Sequence, residues 1–344
     1  MSGAGEPGAA LRRIAFLLEA SRAETYKVRA FRRAAASVSE TPPSRLETLA
    51  AAGRLTDLPG VGATTAKVIA EALSGEVPAY LQVLEQRHEA ASTHEPAIAA
   101  LLGKLRGDLH SHSDWSDGGS PIHEMAETAA SLGHEYLALT DHSPRLTVAH
   151  GLDAARLERQ LDVVDEVNET LRPFRLLKGI EVDILLDGSL DQTDDLLGRL
   201  DVVVASVHSK LRMDAKAMTQ RMIAAVENPH SDILGHCTGR IVVGRGRPPS
   251  EFDAEAVFAA CARTTTAVEI NSRPERRDPP EPLLRRAAEA GCLFSIDTDA
   301  HAPGQLVWQH YGCEQAVAVG VDAERVVDTW ALERLLAWTA EHGH

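Results

Sequence analysis

The spacing of apolar residues divides the chain into a helical front part and a longer part in which strands and helices alternate. Near the front, Leu11, Ile14 and Leu18 recur at the spacing of one helix face. Val28 and Phe31 resume that spacing after a polar break. The pattern therefore predicts a pair of helices, and a third short helix is expected over 46–55.

The front part is expected to be a small all-α domain, residues 1–87, built around a tight turn. Leu58-Pro-Gly-Val-Gly62 is a turn signal, and a helical stretch over 64–73 follows it. Gly60 and Gly62 allow a hairpin to present backbone N–H groups at a helix N-terminus, which binds a DNA phosphate whatever the base. Taken alone, such a turn is equally explained as a connection that caps two helices.

From Leu105 onward, short apolar or β-rich segments alternate with longer helical ones. Alternation of this kind indicates a parallel sheet, and seven repeats favour closure into a (β/α)7 barrel over an open sheet. The expected second domain is 105–344, and 88–104 is expected to be a linker. The predicted strands lie near 105–110, 136–141, 175–181, 202–207, 233–237, 267–271 and 293–297.

Six of the seven predicted strands end in residues that can bind a metal ion. The C-terminal ends of barrel strands meet on one face, so side chains far apart in sequence converge there. A lone buried histidine is more often a hydrogen-bonded core residue, but histidines at successive strand ends lack a packing explanation. The candidate ligands are His110, His112, Asp117, His142, Glu181, His208, His236, Asp299 and His301.

The spacing of His110 and His112 suits metal binding from one extended segment, because residues two apart in a strand face the same side. Imidazole and carboxylate ligands suit zinc, manganese or iron. A carboxylate such as Glu181 can bridge two ions, an arrangement that activates water and polarises a phosphoryl oxygen. The pattern therefore points to phosphoester hydrolysis.

Charge and cysteine content limit which binding partners and which cellular compartment are expected. The net charge is -15, but residues 1–70 hold ten Lys or Arg against six Asp or Glu, so only the front part is suited to a polyanion. The four cysteines have no CxxC spacing, which is typical of a reducing compartment. With no signal peptide and no apolar run of membrane-spanning length, a cytoplasmic protein without a membrane partner is expected.

An ordered series of motifs resembles the polymerase and histidinol phosphatase (PHP) superfamily, in particular the C-terminal PHP domain of bacterial family X DNA polymerases. The motifs are HSHSDWSDG, TDHS, GIEVD, SVHS, GHCTGR, EINSRP and TDAH, between residues 110 and 301. The resemblance implies a distorted TIM-like barrel of PHP type and makes all nine candidates metal ligands for two to three divalent ions. It implies one ion at His110, His112, Glu181 and Asp299, a second at Glu181, His208 and His236, and a third at Asp117, His142 and His301. Glu181, His208 and Asp299 are the expected catalytic residues.

The front part resembles the helix-hairpin-helix domain of family X polymerases through YKVRAFRRAA and LPGVG. The resemblance implies DNA binding by the hairpin glycines, with Lys27, Arg29, Arg32 and Arg33 supplying the electrostatic attraction. Two departures matter. No stretch between the two domains is long enough for a polymerase palm, so polymerase activity is not expected. Val68 stands where the family's Schiff-base lysine is expected, and Lys67 is one position earlier, about 100° round the helix.

The leading hypothesis is a DNA-end phosphoesterase: a 3'-5' exonuclease, a 3'-phosphatase or an abasic-site nuclease. Lys210, Arg240 and Arg273 follow strand ends and are predicted to bind substrate phosphate, although each could equally be a surface ion-pair partner. A small-molecule phosphatase of histidinol-phosphatase type is the alternative. A third interpretation is a DNA-binding accessory protein whose metal ions only stabilise the barrel.

Overall fold

The computed structural model describes residues 6–342, which divide into two units between His94 and Glu95. The first unit is all-helical, as the sequence predicts. Its helices are α1 Pro7–Ala20, α2 Thr25–Ser39, α3 Pro43–Ala51, α4 Ala63–Leu73 and α5 Ala79–Ala91.

Helix α1 begins where the sequence supplies both a cap and a helix-starting residue. The Glu6 carboxylate accepts hydrogen bonds from the backbone N–H groups of Gly8 (3.1 Å) and Ala9 (2.7 Å), and Pro7 occupies the first turn. Pro7 lacks only an N–H that would have no partner within the helix. Leu11 and Ile14, from the predicted apolar face, are fully buried in the first unit.

Seven parallel strands form the sheet of the second unit in sequence order, β1 to β7. Their bounds are β1 Gly107–Ser111, β2 Tyr136–Leu139, β3 Arg175–Asp183, β4 Val202–Ser206, β5 Ile233–Leu234, β6 Ala267–Asn271 and β7 Phe294–Asp297. The first and last strands approach each other: the N–H of Leu109 donates to the Asp297 carboxylate (2.7 Å), and the N–H of His112 donates to the carbonyl of Ala300 (2.8 Å). The nearly closed seven-stranded barrel predicted from the sequence is confirmed.

Helices alternate with the strands around the barrel. Three of them start at aspartates whose side chains accept from the first-turn N–H groups: Asp153, Asp214 and Asp253. The helices are α6 Pro96–Leu102, α7 Ile122–Ser131, α8 Ala154–Thr170, α9 Asp194–Leu197, α10 Ala215–Val226, α11 Ala254–Thr264, α12 Glu281–Glu289, α13 Gln309–Val319 and α14 Leu332–His342.

The segment expected to be a linker, 88–104, is largely helical and requires a correction. Helix α5 continues to Ala91, and α6 occupies most of the remainder. Ile98 and Leu101 are buried in the core cluster of the barrel unit. Their burial stabilises α6 as part of the barrel unit. The sequence did not indicate this helix, because its apolar stretch is short and lies in an Ala-rich segment.

Successive side chains of β3 and β4 point alternately into the barrel and toward the outer helices. Val202 and Val204 pack with Leu177 in one apolar cluster, whereas Val203 and Ala205 pack with the outer helices. Glu181 lies four residues after Leu177 on β3 and therefore faces the same interior. Within the described residues, no helix combines the length and apolar character needed to cross a bilayer.

Candidate metal centre

Glu181 lies at the centre of a group of five histidines at the C-terminal end of the barrel. Its Oε1 atom is 2.8 Å from His236 Nε2 and 3.1 Å from His208 Nε2. Its Oε2 atom is 2.9 Å from His142 Nδ1 and 3.3 Å from His110 Nε2. The carboxylate is almost fully buried, so charge from several elements is concentrated in a site that excludes most water.

A second group adjoins the first through His112. Asp117 Oδ1 is 3.3 Å from His301 Nε2 and 3.4 Å from His142 Nε2. His112 Nε2 is 3.6 Å from Glu181 and 3.5 Å from Asp299. All nine candidate ligands named from the sequence are thus in one neighbourhood, although they come from strand ends spread over nearly two hundred residues.

The donor atoms are suited to divalent cations. Three sets, each with atoms within 4.8 Å of one another, are close enough to hold an ion: His110, His112 and Glu181; His142, Glu181 and His208; and His112, Asp117, His142 and His301. Nε2 of His110, His112 and His208 is buried close to carboxylate oxygens, but none of the three makes a hydrogen bond of acceptable geometry. Such buried nitrogens are costly unless another group satisfies them, and a cation would do so. His142 belongs to two sets here, whereas the sequence grouped it only with Asp117 and His301.

Two carboxylates behind the histidines fix the orientation of their rings. His110 Nδ1 lies 2.6 Å from Glu269 Oε1, and His208 Nδ1 lies 2.6 Å from Asp183 Oδ1. A carboxylate at Nδ1 keeps the proton there and leaves the Nε2 lone pair free for a cation. Glu269 was not among the candidate residues predicted from the sequence. The available signal was its position on β6, the one strand whose end supplied no candidate.

Electrostatics in the centre favour ionised carboxylates. Burial alone would raise the pKa of Glu181, but His208, His110 and His142 outweigh it and hold that pKa well below its usual range. Burial opposes protonation of His208 as well, yet Glu181 and Asp183 raise its pKa to about 9. Burial lowers the pKa of His236 to about 4, and the nearby Arg276 guanidinium acts in the same direction.

A cleft of about 430 Å³ opens over the centre. It reaches Arg273 and Arg276, which both contact Asp299: Arg273 Nη1 is 3.3 Å from Oδ1, and Arg276 Nε is 3.1 Å from Oδ2. Burial opposes ionisation of Asp299, but Arg273, His112 and Arg276 outweigh it and lower the pKa of the carboxyl.

The three predicted phosphate residues lie in different environments. Arg273 lines the cleft, and its Nη1 atom donates to the Asp299 carbonyl at 2.8 Å. Arg240 instead donates to the carbonyl oxygens of Arg276 and Arg277, so its guanidinium holds a loop in place. Lys210 is exposed after β4, with a positive φ of 54°. The phosphate role of all three stays a prediction.

In the first unit, the hairpin turn forms as the sequence suggests. The Val61 N–H donates to the Leu58 carbonyl at 3.1 Å, and Gly60 has a φ of +73°. A Cβ atom on Gly60 would lie 3.1 Å from the Arg33 Cβ atom. The Gly62 N–H donates to Thr65 Oγ1 at 2.9 Å as α4 begins.

The predicted DNA-binding cations divide into exposed and paired groups. Lys27, Arg29 and Arg33 are exposed, whereas Arg32 forms a two-point ion pair with the buried Glu19 at 2.6 and 2.9 Å. Val68 is buried, while Lys67 is exposed and lies 3.7 Å from Glu71. The expected lysine position therefore points into the core and Lys67 points to solvent.

Comparisons with known proteins match both units. The family profile of the helix-hairpin-helix domain matches residues 6–77, and that of the PHP domain matches residues 108–272. A Bacillus subtilis protein named "DNA polymerase/3'-5' exonuclease PolX" is 42% identical over 219 residues, which cover 63% of this chain and 38% of the relative. The chain thus spans well under half of that relative's length.

Shorter relatives are covered almost completely. A protein named "Probable phosphatase" from Shewanella sediminis is 30% identical over 254 residues, 69% of this chain and 94% of the relative. A solved histidinol phosphate phosphatase from Lactococcus lactis, complexed with zinc, L-histidinol and phosphate, matches with a TM-score of 0.46 and 17% identity. That match covers 63% of this chain and 95% of the other. Together, the profile and sequence matches show that the chain belongs to the PHP domain family of phosphoester hydrolases.

Proposed function

We propose that the protein hydrolyses phosphoester bonds at the 3' ends of DNA, with the helical unit binding DNA and the barrel carrying out hydrolysis. The observation that carries this proposal is the presence of a helix-hairpin-helix domain and a PHP domain in one chain. Both domains also resemble regions of family X polymerases. The exonuclease named in the Bacillus subtilis relative supports the same class of substrate.

Seven of the nine clustered residues make up the three donor sets, and His236 and Asp299 adjoin them. The sets fit two or three divalent cations, among which zinc, manganese and iron suit imidazole and carboxylate ligands. When bound, such ions supply Lewis acidity at a phosphoryl group and an activated water. The protein side chains orient the metal ligands and supply negative charge. Glu181, His208 and Asp299 lie at the proposed reaction centre, and Glu269 holds His110 in the ring orientation that metal ligation requires.

The helical unit offers contacts for the DNA backbone outside the barrel. The Val61 and Gly62 N–H groups of the hairpin bond within the protein, whereas the first-turn N–H groups of α4, directly after it, have no partner within that helix. Lys27, Arg29 and Arg33 are exposed on the same unit. Such contacts bind the DNA backbone regardless of sequence. An enzyme that processes ends wherever they arise needs binding of this kind.

The test is a substrate panel assayed with manganese and with zinc. We expect hydrolysis of 3' ends in 5'-labelled single strands, nicked duplexes or abasic duplexes, and loss of activity in His110→Ala. His134→Gln is a suitable matched control, because it changes a histidine outside the cluster. A reconstituted protein that leaves all three DNA substrates intact would defeat the proposal.

A small-molecule phosphatase is the second candidate, favoured by the 94% coverage of a "Probable phosphatase" by this chain. The acidic charge downstream of residue 70 also fits a substrate smaller than DNA. Rapid turnover of histidinol phosphate or nucleoside monophosphates, with no effect of Lys27→Ala or Arg33→Ala, would favour this candidate.

A further inference from the structure

A short hairpin forms part of the rim of the cleft. The Ile241 N–H donates to the Arg247 carbonyl at 2.9 Å, and the Arg247 N–H donates back at 2.8 Å. The turn between them closes with the Gly246 N–H donating to the Val243 carbonyl at 2.9 Å. A Cβ atom on Gly244 would meet nothing within 4 Å, so the tip of the hairpin lies in open space.

The hairpin is anchored next to the metal centre. The Val242 N–H donates to the Glu275 carbonyl at 2.8 Å, and Ile241, Glu275 and Arg276 all line the cleft. The hairpin and the loop beside it therefore form one continuous wall. Any substrate long enough to leave the cleft on this side must cross them.

This wall is basic, although the chain is acidic. Residues 239–250 and 271–278 contain six arginines against two acidic residues, a net charge of +4, whereas the whole chain carries -15. A local excess of one sign, set against the overall charge, attracts ligands of opposite sign. Here that ligand is an anion next to a phosphoesterase centre.

Most of these guanidinium groups bond to protein atoms, and two of the six differ from the rest. The engaged groups are Arg240, which donates to the Arg276 and Arg277 carbonyls, Arg247 to the Gly239 carbonyl, Arg273 to Asp299, and Arg277 to Glu314. Arg276 bonds Asp299 through Nε, while its Nη1 atom is buried without a partner. Arg245, at the hairpin tip, is exposed and has no hydrogen-bond or ion-pair partner within residues 6–342.

Apolar side chains lie beside these free donors. Val242 and Val243 are 51% and 37% exposed on the hairpin, and Val148, on a loop that also lines the cleft, is 86% exposed. These exposed valines leave apolar surface open to a ligand at a polar, cationic rim. They match a ligand that alternates apolar rings with phosphates, which is the chemistry of a polynucleotide strand.

We propose that the hairpin of residues 241–247 is a nucleotide subsite that holds the single strand adjoining the bond to be hydrolysed. Arg276 Nη1 binds a phosphate inside the cleft, Arg245 binds a phosphate further along the strand, and the valines contact the bases between them. This proposal rests on the proposed DNA-end activity and assigns its substrate as a single-stranded end rather than a compact phosphate ester.

The test measures KM and salt dependence with a ten-residue oligodeoxythymidylate as substrate. For Arg245→Gln, loss of one phosphate contact should raise KM about fivefold and flatten the plot of log KM against log salt by about 0.7, the value for one single-strand contact. Val242→Ser with Val243→Ser should raise KM without changing the salt slope, because no charge is removed. Arg159→Gln, an exposed arginine on α8, is the matched control and should behave as wild type.

A wild-type KM and salt slope in Arg245→Gln would overturn the subsite, as would an equal shift in Arg159→Gln. Fluorescence anisotropy with a phosphorothioate version of the same oligonucleotide separates the subsite from the activity. If the wild-type protein binds the strand with an Arg245-dependent salt slope but does not hydrolyse it, the DNA-end activity fails and the subsite stands. If it hydrolyses the strand and Arg245→Gln is indistinguishable in both assays, only the subsite fails.

Discussion

Replacing Glu269 by glutamine should weaken metal binding without removing a single ligand. The carboxylate faces three donors: His110 Nδ1 lies 2.6 Å from Oε1, while Oε2 accepts from the backbone N–H of His236 and from Asn271 Nδ2 at 3.3 Å. A glutamine has one accepting oxygen and one donating amide. The backbone N–H can only donate, so the oxygen must face it and the amide must face His110 Nδ1. That arrangement moves the imidazole proton to Nε2, the atom directed at Glu181 and at the candidate ion.

The expected size follows from this change of tautomer. A metal-bound histidine usually donates a hydrogen bond from the ring nitrogen that does not bind the metal. Loss of that hydrogen-bond partner costs about 10- to 100-fold in metal affinity, or about 1.4 to 2.7 kcal/mol. The measurement is the apparent zinc dissociation constant, obtained by competition with a chromophoric chelator. Glu166→Gln, an exposed glutamate on α8, controls for the lost charge.

Thermal unfolding of the metal-free proteins completes the test. Glu269→Gln should remain folded at the assay temperature, so that weaker zinc binding reports on the site. Zinc affinity within twofold of wild type in folded Glu269→Gln protein would refute the tautomer reasoning, since His110 would then ligate equally well with the carboxylate absent.

Three further predictions concern stability and DNA binding. Burial lowers the pKa of His134 to about 4, so the unfolded chain binds its proton more readily and stability falls as pH drops below about 6.5. The loss attributable to His134 between pH 7 and pH 5 is about 2 kcal/mol, and urea unfolding should show a smaller loss for His134→Gln; equal losses would contradict this cause. Gly60→Ala should lower the free energy of unfolding by about 1 kcal/mol, since φ is +73° and Arg33 lies close to the new Cβ; unchanged urea midpoints would argue against a strained turn. Lys27→Ala combined with Arg33→Ala should weaken duplex binding and reduce its salt slope by nearly 2, and an unchanged slope in anisotropy titrations would remove both residues from the DNA contact.

Much of the fold could be predicted because its signals are local and repeated. Apolar strands alternate with amphipathic helices, and seven repeats limit a parallel sheet to few arrangements. The same regularity explains the convergence of the candidate ligands, because strand ends of a barrel share one face. The helical nature of 96–102 was missed, since a short apolar helix gives little periodicity and its burial depends on the finished barrel.

Side-chain partnerships were harder to infer from the sequence. Nothing local distinguishes Arg240, whose guanidinium holds two backbone carbonyls, from Arg276, whose Nη1 atom is free in the cleft wall. Arg32 likewise could not be separated from Arg33 before its ion pair with Glu19 was located. Glu269 lacked the histidine-rich setting of the other strand ends, and its role depends on a contact with a residue 159 positions away.

The central claim is that cations are held around Glu181, and metal stoichiometry tests it most directly. After reconstitution with zinc or manganese and removal of free metal, elemental analysis should find two or three ions per chain, in keeping with the three donor sets. Glu181→Gln should lose at least one of them, because two of those sets share this carboxylate, while Glu166→Gln retains the wild-type content. A folded wild-type protein that stays free of metal, or a Glu181→Gln variant with full occupancy, would contradict the account.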